Sequence, residues 1–247
     1  MPTAVITGAT AGIGAAFVQP LTDRGYDLVV VARDGDRLRR QVPGAEVIAA
    51  DLATTDGCAV VEARLEAGVD LLVNNAGRGL NKAFDESSLT DQLGLLDLNV
   101  RSVLRLTHAA LPPMLAQGAG AILNVSSVAG FSAGVRGATY SASKAWVTNF
   151  TESLDLQYRH RGVRAVAVCP GFTRTEFHDR AEMDMSGIPA RLWLTVDQVV
   201  QTALRDLDKG RTVSVAGPQY KAIVGATRLL PTAARRQASA LARRRLT

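Results

Sequence analysis

The chain has 247 residues, 47% hydrophobic and 21% charged, with 22 glycines and 5% aromatics. That length and composition suit a large buried core and exclude wholesale disorder, and no apolar run approaches the ~20 residues of a membrane-spanning helix. The formal charge of +5 is uneven: seven of the 28 basic residues and no acid lie from Tyr220 to Thr247, so 21 basic and 23 acidic residues leave the first 219 positions at −2. The basicity belongs to a tail, not to a polyanion-binding body.

Met1-Pro2-Thr3 runs straight into a first candidate strand, Ala4 to Thr7, so no signal or transit peptide is expected. A glycine-rich loop, Thr7 to Gly14, then opens a helix over Gly12 to Gly25. Further strands are read at Leu28 to Ala32, Glu46 to Ala50, Leu71 to Asn74, Ala121 to Val125, Val163 to Cys169 and Thr212 to Val215. Their near-continuous apolar character suits strands buried on both faces of a parallel sheet. Helices are expected at Leu89 to Ala116, Thr139 to Arg161 and Val196 to Asp208. This alternation implies one α/β domain, doubly wound, with a mostly seven-stranded parallel sheet between helices. Its expected span is 1–217, including a lid at Arg174 to Leu194, where no period is visible and a functional loop is expected. Residues 218–247 are read as a basic helical extension.

The loop Gly8-Ala9-Thr10-Ala11-Gly12-Ile13-Gly14 lets phosphate oxygens approach bare backbone N–H groups at a helix start. Its spacing is G-x-x-x-G-x-G rather than G-x-G-x-x-G. At the end of the second strand Arg33 precedes Asp34. An acid at this point selects the ribose 2′-hydroxyl of NAD, whereas a guanidinium suits the 2′-phosphate of NADP; we read NADP(H).

Three later features add weight together: Asn74-Asn75-Ala76-Gly77 after the fourth strand, Ser126-Ser127 after the fifth, and Tyr140-Ser141-Ala142-Ser143-Lys144 at a helix start. With Thr7 to Gly14, their order and spacing resemble the short-chain dehydrogenase/reductase family, of the NADP-preferring type, over about the first 215 residues. The resemblance implies a Rossmann domain and a nicotinamide-dependent interconversion of carbonyl and alcohol.

Tyr140 and Lys144 share one helix face. A free tyrosine with a pKa near ~10 is a poor base at neutral pH. A nearby ammonium and an oxidised nicotinamide ring are expected to pull that value down, so that Tyr140 acts as general acid or base. The resemblance implies that Lys144 also binds the nicotinamide ribose. It selects Ser127 as the serine that holds the substrate oxygen, leaving Ser126 to satisfy local backbone, and Asn99 as holder of a relay water. It also implies adenine contacts from Asp51 and Leu52, ribose-side contacts from Asn74, Ala76 and Gly77, and carboxamide contacts from Pro170, Gly171 and Thr173 or Thr175. Cys169 is read as a core residue. No metal constellation or G-x-S-x-G elbow is visible, and two cysteines, Cys58 and Cys169, suit a reducing cytoplasm.

Apolar pocket walls are expected from Val128, Phe131, Val135, Met183, Met185 and Trp193, hence a hydrophobic carbonyl or secondary alcohol as substrate. The rival enzyme reading is a 3-oxoacyl carrier-protein reductase; the rival of another class is a non-catalytic NADP sensor. The tail repeats Ile223, Val224, Thr227 and Leu230 at helical spacing, then turns arginine-rich from Ala233 to Leu246. Subunit packing or a solvated end is the leading reading for it, and peripheral contact with an acidic membrane surface the second. Nucleic acid is not expected, because no aromatics interleave the cations. Resemblance implies a homodimer or homotetramer.

Overall fold

The computed structural model describes residues 1–133, 137–181, 183 and 185–229. Val135, Leu230 and the arginine-rich stretch from Ala233 to Leu246, all named above, lie outside the described residues. Seven parallel strands form one sheet: β1 (Thr3–Thr7), β2 (Asp27–Ala32), β3 (Glu46–Ala49), β4 (Leu71–Asn74), β5 (Gly120–Val125), β6 (Val163–Val168) and β7 (Val213–Ser214). Their order is β3-β2-β1-β4-β5-β6-β7. The expected fold, an α/β Rossmann-like domain with a seven-stranded parallel sheet between helices, is the one observed.

The two-faced strands explain the continuous apolar runs. Ala4 and Ile6 of β1 and Val30 of β2 enter one core, while Val5, Val29 and Val31 enter the other. The helices are α1 (Gly12–Ala16), α2 (Val18–Asp23), α3 (Gly35–Gln41), α4 (Thr55–Glu66), α5 (Leu89–Leu96), α6 (Ser102–Gln117), α7 (Ala138–Tyr158), α8 (Phe177–Arg180), α9 (Val196–Asp208) and α10 (Pro218–Leu229). Phe17, Leu21, Leu38, Val199, Val200 and Leu204 cover the first core; Cys58, Val61, Leu65, Leu106, Ala110 and Met114 cover the second. Each such large side chain contributes about 2 kcal/mol of burial.

Two expected helices are subdivided. The first breaks at Phe17, and the stretch from Leu89 passes through a π-turn at Asp97–Arg101 before α6. The tail begins inside the folded body, because Tyr220 and Val224 of α10 are buried in the first core. Among the described residues no helix is long and apolar enough to cross a membrane, and no three His, Cys, Asp or Glu side chains cluster as metal ligands.

Candidate active site

The strand order reverses between β1 and β4, and the loops after those strands flank the crevice where α/β sheets take their ligands. Gly8 sits at φ +68°, and a Cβ there would lie 2.8 Å from Asn75 Nδ2. A Cβ on Gly14 would overlap both Gly8 O and Asn75 Nδ2, so the helix start and the loop touch through bare backbone. Thr7 Oγ1 accepts from Asn75 N at 2.9 Å and from Ala76 N at 3.0 Å, and Asn75 Nδ2 donates to Thr7 O at 2.9 Å. Asn75 therefore staples the two loops together, a role the sequence reading overlooked; its signal was a second asparagine beside Asn74. This bare cradle fits a dinucleotide's pyrophosphate.

The other expected cofactor residues are distributed around the same edge. Arg33 is exposed at the end of β2. The Asp34 carboxylate is engaged as the cap of α3, accepting from Arg37 N at 2.9 Å. Asp51 is exposed and accepts from Ala53 N at 3.0 Å, while Leu52 is buried in the second core. Ile13 packs against the first core, which leaves its backbone for the loop. The Asn74 side chain turns inward, donating to Asn124 Oδ1 at 2.9 Å and to Thr107 Oγ1 at 3.2 Å, so only its backbone borders the crevice. Thr173 donates to Gly171 O at 3.0 Å, and Thr175 Oγ1 caps α8 through Phe177 N at 3.2 Å. The Thr175 methyl lies 3.1 Å from where a Cβ on Gly12 would stand, closing that side of the loop.

The reactive residues converge from β5, α7 and the π-turn. Ser127 opens a tight turn after β5 and accepts from Ala129 N at 3.1 Å. Tyr140, in the first turn of α7, is half-buried, with Ser127 near enough to draw its phenol pKa down. Lys144 is 5% exposed; its Nζ donates to Val125 O at 2.8 Å and lies 5.9 Å from the centre of the Tyr140 ring. Ser126 does satisfy backbone, but that of α7, through Lys144 O at 2.7 Å. Asn99 is buried in the π-turn, where its carboxamide accepts from Arg78 N and donates to Arg78 O, both at 2.9 Å. A Cβ on Gly77 would lie 3.3 Å from Asn99 Oδ1 and 3.5 Å from Lys144 Nζ. The loop after β4, the π-turn and α7 thus meet at one point.

Within the protein's own groups, burial pushes the Tyr140 phenol up to about 12, opposed by Ser127; the lowering expected above is that of a site with oxidised nicotinamide bound. The Lys144 ammonium is directed at Val125 O. Burial also pulls Lys144 itself down to about 8. The site therefore holds Tyr140 as a neutral hydroxyl, the form that donates a proton. Burial pushes the Cys169 thiol up to about 12, which keeps it inert in the core.

The lid expected at Arg174 to Leu194 is a loop closed at its neck. Leu194 N donates to Phe172 O at 2.8 Å and Arg174 N to Leu194 O at 3.1 Å. Of its aromatic residues, Phe177 reaches the site, with its ring centre 5.8 Å from that of Tyr140. Trp193, expected as a pocket wall, packs instead with Phe172, His178 and the Arg174 guanidinium. Phe131 lies beneath the Arg228 guanidinium, 5.2 Å away.

Residues 2–186 match the short chain dehydrogenase family. This chain belongs to that family. The short chain dehydrogenase from Sphingobium yanoikuyae in complex with NADPH is 34% identical and superposes with a TM-score of 0.81, over 100% of this chain and 95% of its own. The bulky-bulky ketone specific alcohol dehydrogenase from Comamonas testosteroni is 30% identical, with a TM-score of 0.78 over 94% and 96% of the two chains. A family member from Burkholderia phymatum in complex with NAD is also 30% identical, with a TM-score of 0.78 over 90% and 91%. As a short chain dehydrogenase the protein is an oxidoreductase built on a dinucleotide-binding fold.

Proposed function

We propose that this short chain dehydrogenase is an NADP(H)-dependent oxidoreductase that interconverts a hydrophobic carbonyl compound and its secondary alcohol, with Tyr140 as general acid and base. The observation that carries the reading is the meeting of Ser127, Tyr140 and Lys144 in one site: a serine hydroxyl beside a phenol, with a buried amine 5.9 Å from its ring. Bound reduced nicotinamide supplies the hydride that the carbonyl carbon receives. Ser127 holds the carbonyl oxygen by a hydrogen bond, and Tyr140 transfers its phenolic proton to that oxygen, completing the alcohol. In the reverse direction the Tyr140 phenolate takes the alcohol proton. Lys144, charged below about pH 8, offsets the negative charge left on Tyr140 once the proton has moved.

The NADP preference rests on Arg33, whose neighbour Asp34 is occupied in capping α3 and so is held away from a competing role. The NADPH-bound relative agrees with that choice, while the NAD-bound relative makes Arg33 the residue to test. Phe177 beside Tyr140, together with the relative's specificity for bulky ketones, supports an apolar substrate. Leu89, Leu93, Leu96 and Leu104 expose apolar surface along α5 and α6, which supports a homo-oligomer. The deciding assay is a panel of ketones, aldehydes and secondary alcohols run with each cofactor and followed by nicotinamide absorbance. Turnover with NADPH on apolar ketones is the expected result, and tight cofactor binding with no turnover on any substrate would favour a sensor.

A further inference from the structure

The C-terminal helix α10 enters the active-site region through one side chain. Tyr220, in its first turn, is 3% exposed, and its ring lies flat on Gly171, where a Cβ would overlap it. Its Oη accepts from Phe172 N at 2.9 Å and donates to Leu192 O at 2.6 Å. These two backbone groups stand on opposite strands of the lid neck, which is otherwise closed by the bonds between Phe172, Arg174 and Leu194. One phenol therefore ties the loop after β6 to the returning end of the lid, and fixes both to α10.

We propose that Tyr220 is a positioning residue for the redox reaction: by pinning both strands of the lid neck it sets Pro170–Thr173 against the nicotinamide end of the cofactor. This rests on the cofactor reading given above. The chemistry of the residue fits the task, because a phenol hydroxyl both accepts and donates, as the two facing backbone groups require. It also gives the beginning of the basic tail a role inside the catalytic body: α10 is the anchor of the loop, and the ring of Phe177 reaches Tyr140 from that same loop.

The test is Tyr220→Phe in the full-length protein, which keeps the ring on Gly171 and removes both hydrogen bonds. Hydrogen exchange is read on peptides spanning 170–175 and 190–195, with β5 as the internal reference. We expect about tenfold faster exchange at the neck, the scale of one or two lost hydrogen bonds, and no change in β5. In parallel, kcat for ketone reduction should fall about tenfold and its deuterium isotope effect, measured with reduced cofactor deuterated at the transferred position, should rise, while the KM for the ketone stays within twofold. Loss of a purely structural contact would speed exchange at the neck without moving the isotope effect. Unchanged exchange at 170–175 would overturn the clamp, and faster exchange with unaltered kcat and isotope effect would overturn its part in the reaction. If the parent protein turns over no carbonyl at all, the oxidoreductase reading fails instead, and the exchange arm still decides the clamp.

Discussion

Asn99 and Arg78 are joined by a pair of hydrogen bonds in which a side chain acts as a strand would. The carboxamide accepts from the Arg78 N–H and donates to the Arg78 carbonyl, both at 2.9 Å, and Asn99 is 1% exposed. The π-turn that carries Asn99 is what brings it to this loop, since the extra residue in the turn shifts the helix face at that point. The loop so held carries Gly77, beside Lys144.

Replacing Asn99 by Ala leaves both backbone groups of Arg78 without that partner in a part-buried setting, so chemical denaturation should show a loss of about 1 kcal/mol. Asn99→Asp keeps the acceptor for Arg78 N but sets a carboxylate against Arg78 O, and should lower activity at least as much as Ala. A variant with parental stability and turnover would contradict the loop-holding role.

Lys144 makes the site pH-dependent in two ways. Its folded value, about 8, lies below the free value, so at pH 7 the fold carries the cost of a buried ammonium. A shift of that size corresponds to roughly 3 kcal/mol, against about 1–2 kcal/mol for its bond to Val125 O. Lys144→Met should therefore be at least as stable as the parent at pH 7. Between about pH 8 and 10 the unfolded chain binds more protons than the folded one, so the parent gains stability and the variant's advantage narrows. In the same window kcat/KM for NADPH, which reports the free protein's ionisations, should fall as the ammonium is lost. Denaturation midpoints at pH 7 and 9 and a pH–rate profile check both, and a Met variant whose advantage over the parent widens as pH rises would contradict the sign.

Much of this was legible in the sequence, and the parts that were not share a physical cause. The strands were readable because two-sided burial leaves β1, β2 and β4 almost without polar residues, and the glycine loop because only bare backbone can make the Gly8–Gly14 contact. Tyr140 and Lys144 were picked out by their shared helix face and Ser127 by the family resemblance, and the structure brings the three together. Asn75, Phe177 and Tyr220 were overlooked because their partners lie 68, 37 and 48 residues away in the chain, respectively. The aim of Lys144 was likewise hidden: proximity of Tyr140 to a lysine is a sequence property, but the direction of the ammonium toward Val125 O is not.

On the proposed reading, Phe177 bounds the substrate space. Its ring stands 5.8 Å from that of Tyr140 and comes so close to Gly79 that a Cβ there would be 3.0 Å from Cζ. Phe177→Ala should raise kcat/KM for bulkier ketones relative to small ones by about tenfold, the scale of a few methylenes of pocket space. An unchanged ratio across a homologous ketone series would remove Phe177 from the pocket.

Arg33 is the test of cofactor choice. Arg33→Ala should reduce kcat/KM for NADPH by about 10–100-fold, the range of a charge-assisted pair with phosphate, and leave NADH use within about twofold. Equal losses with the two cofactors would place Arg33 outside the phosphate site.

The proton-transfer role of Tyr140 is tested most directly by Tyr140→Phe, assayed for ketone reduction alongside cofactor binding by nicotinamide fluorescence. The ring and its contact with Phe177 remain, and only the phenol hydroxyl is removed. Turnover should fall by at least about 100-fold, as for loss of a general acid, with cofactor affinity within about threefold of the parent. A Phe variant that reduces ketones at the parental rate would contradict the mechanism.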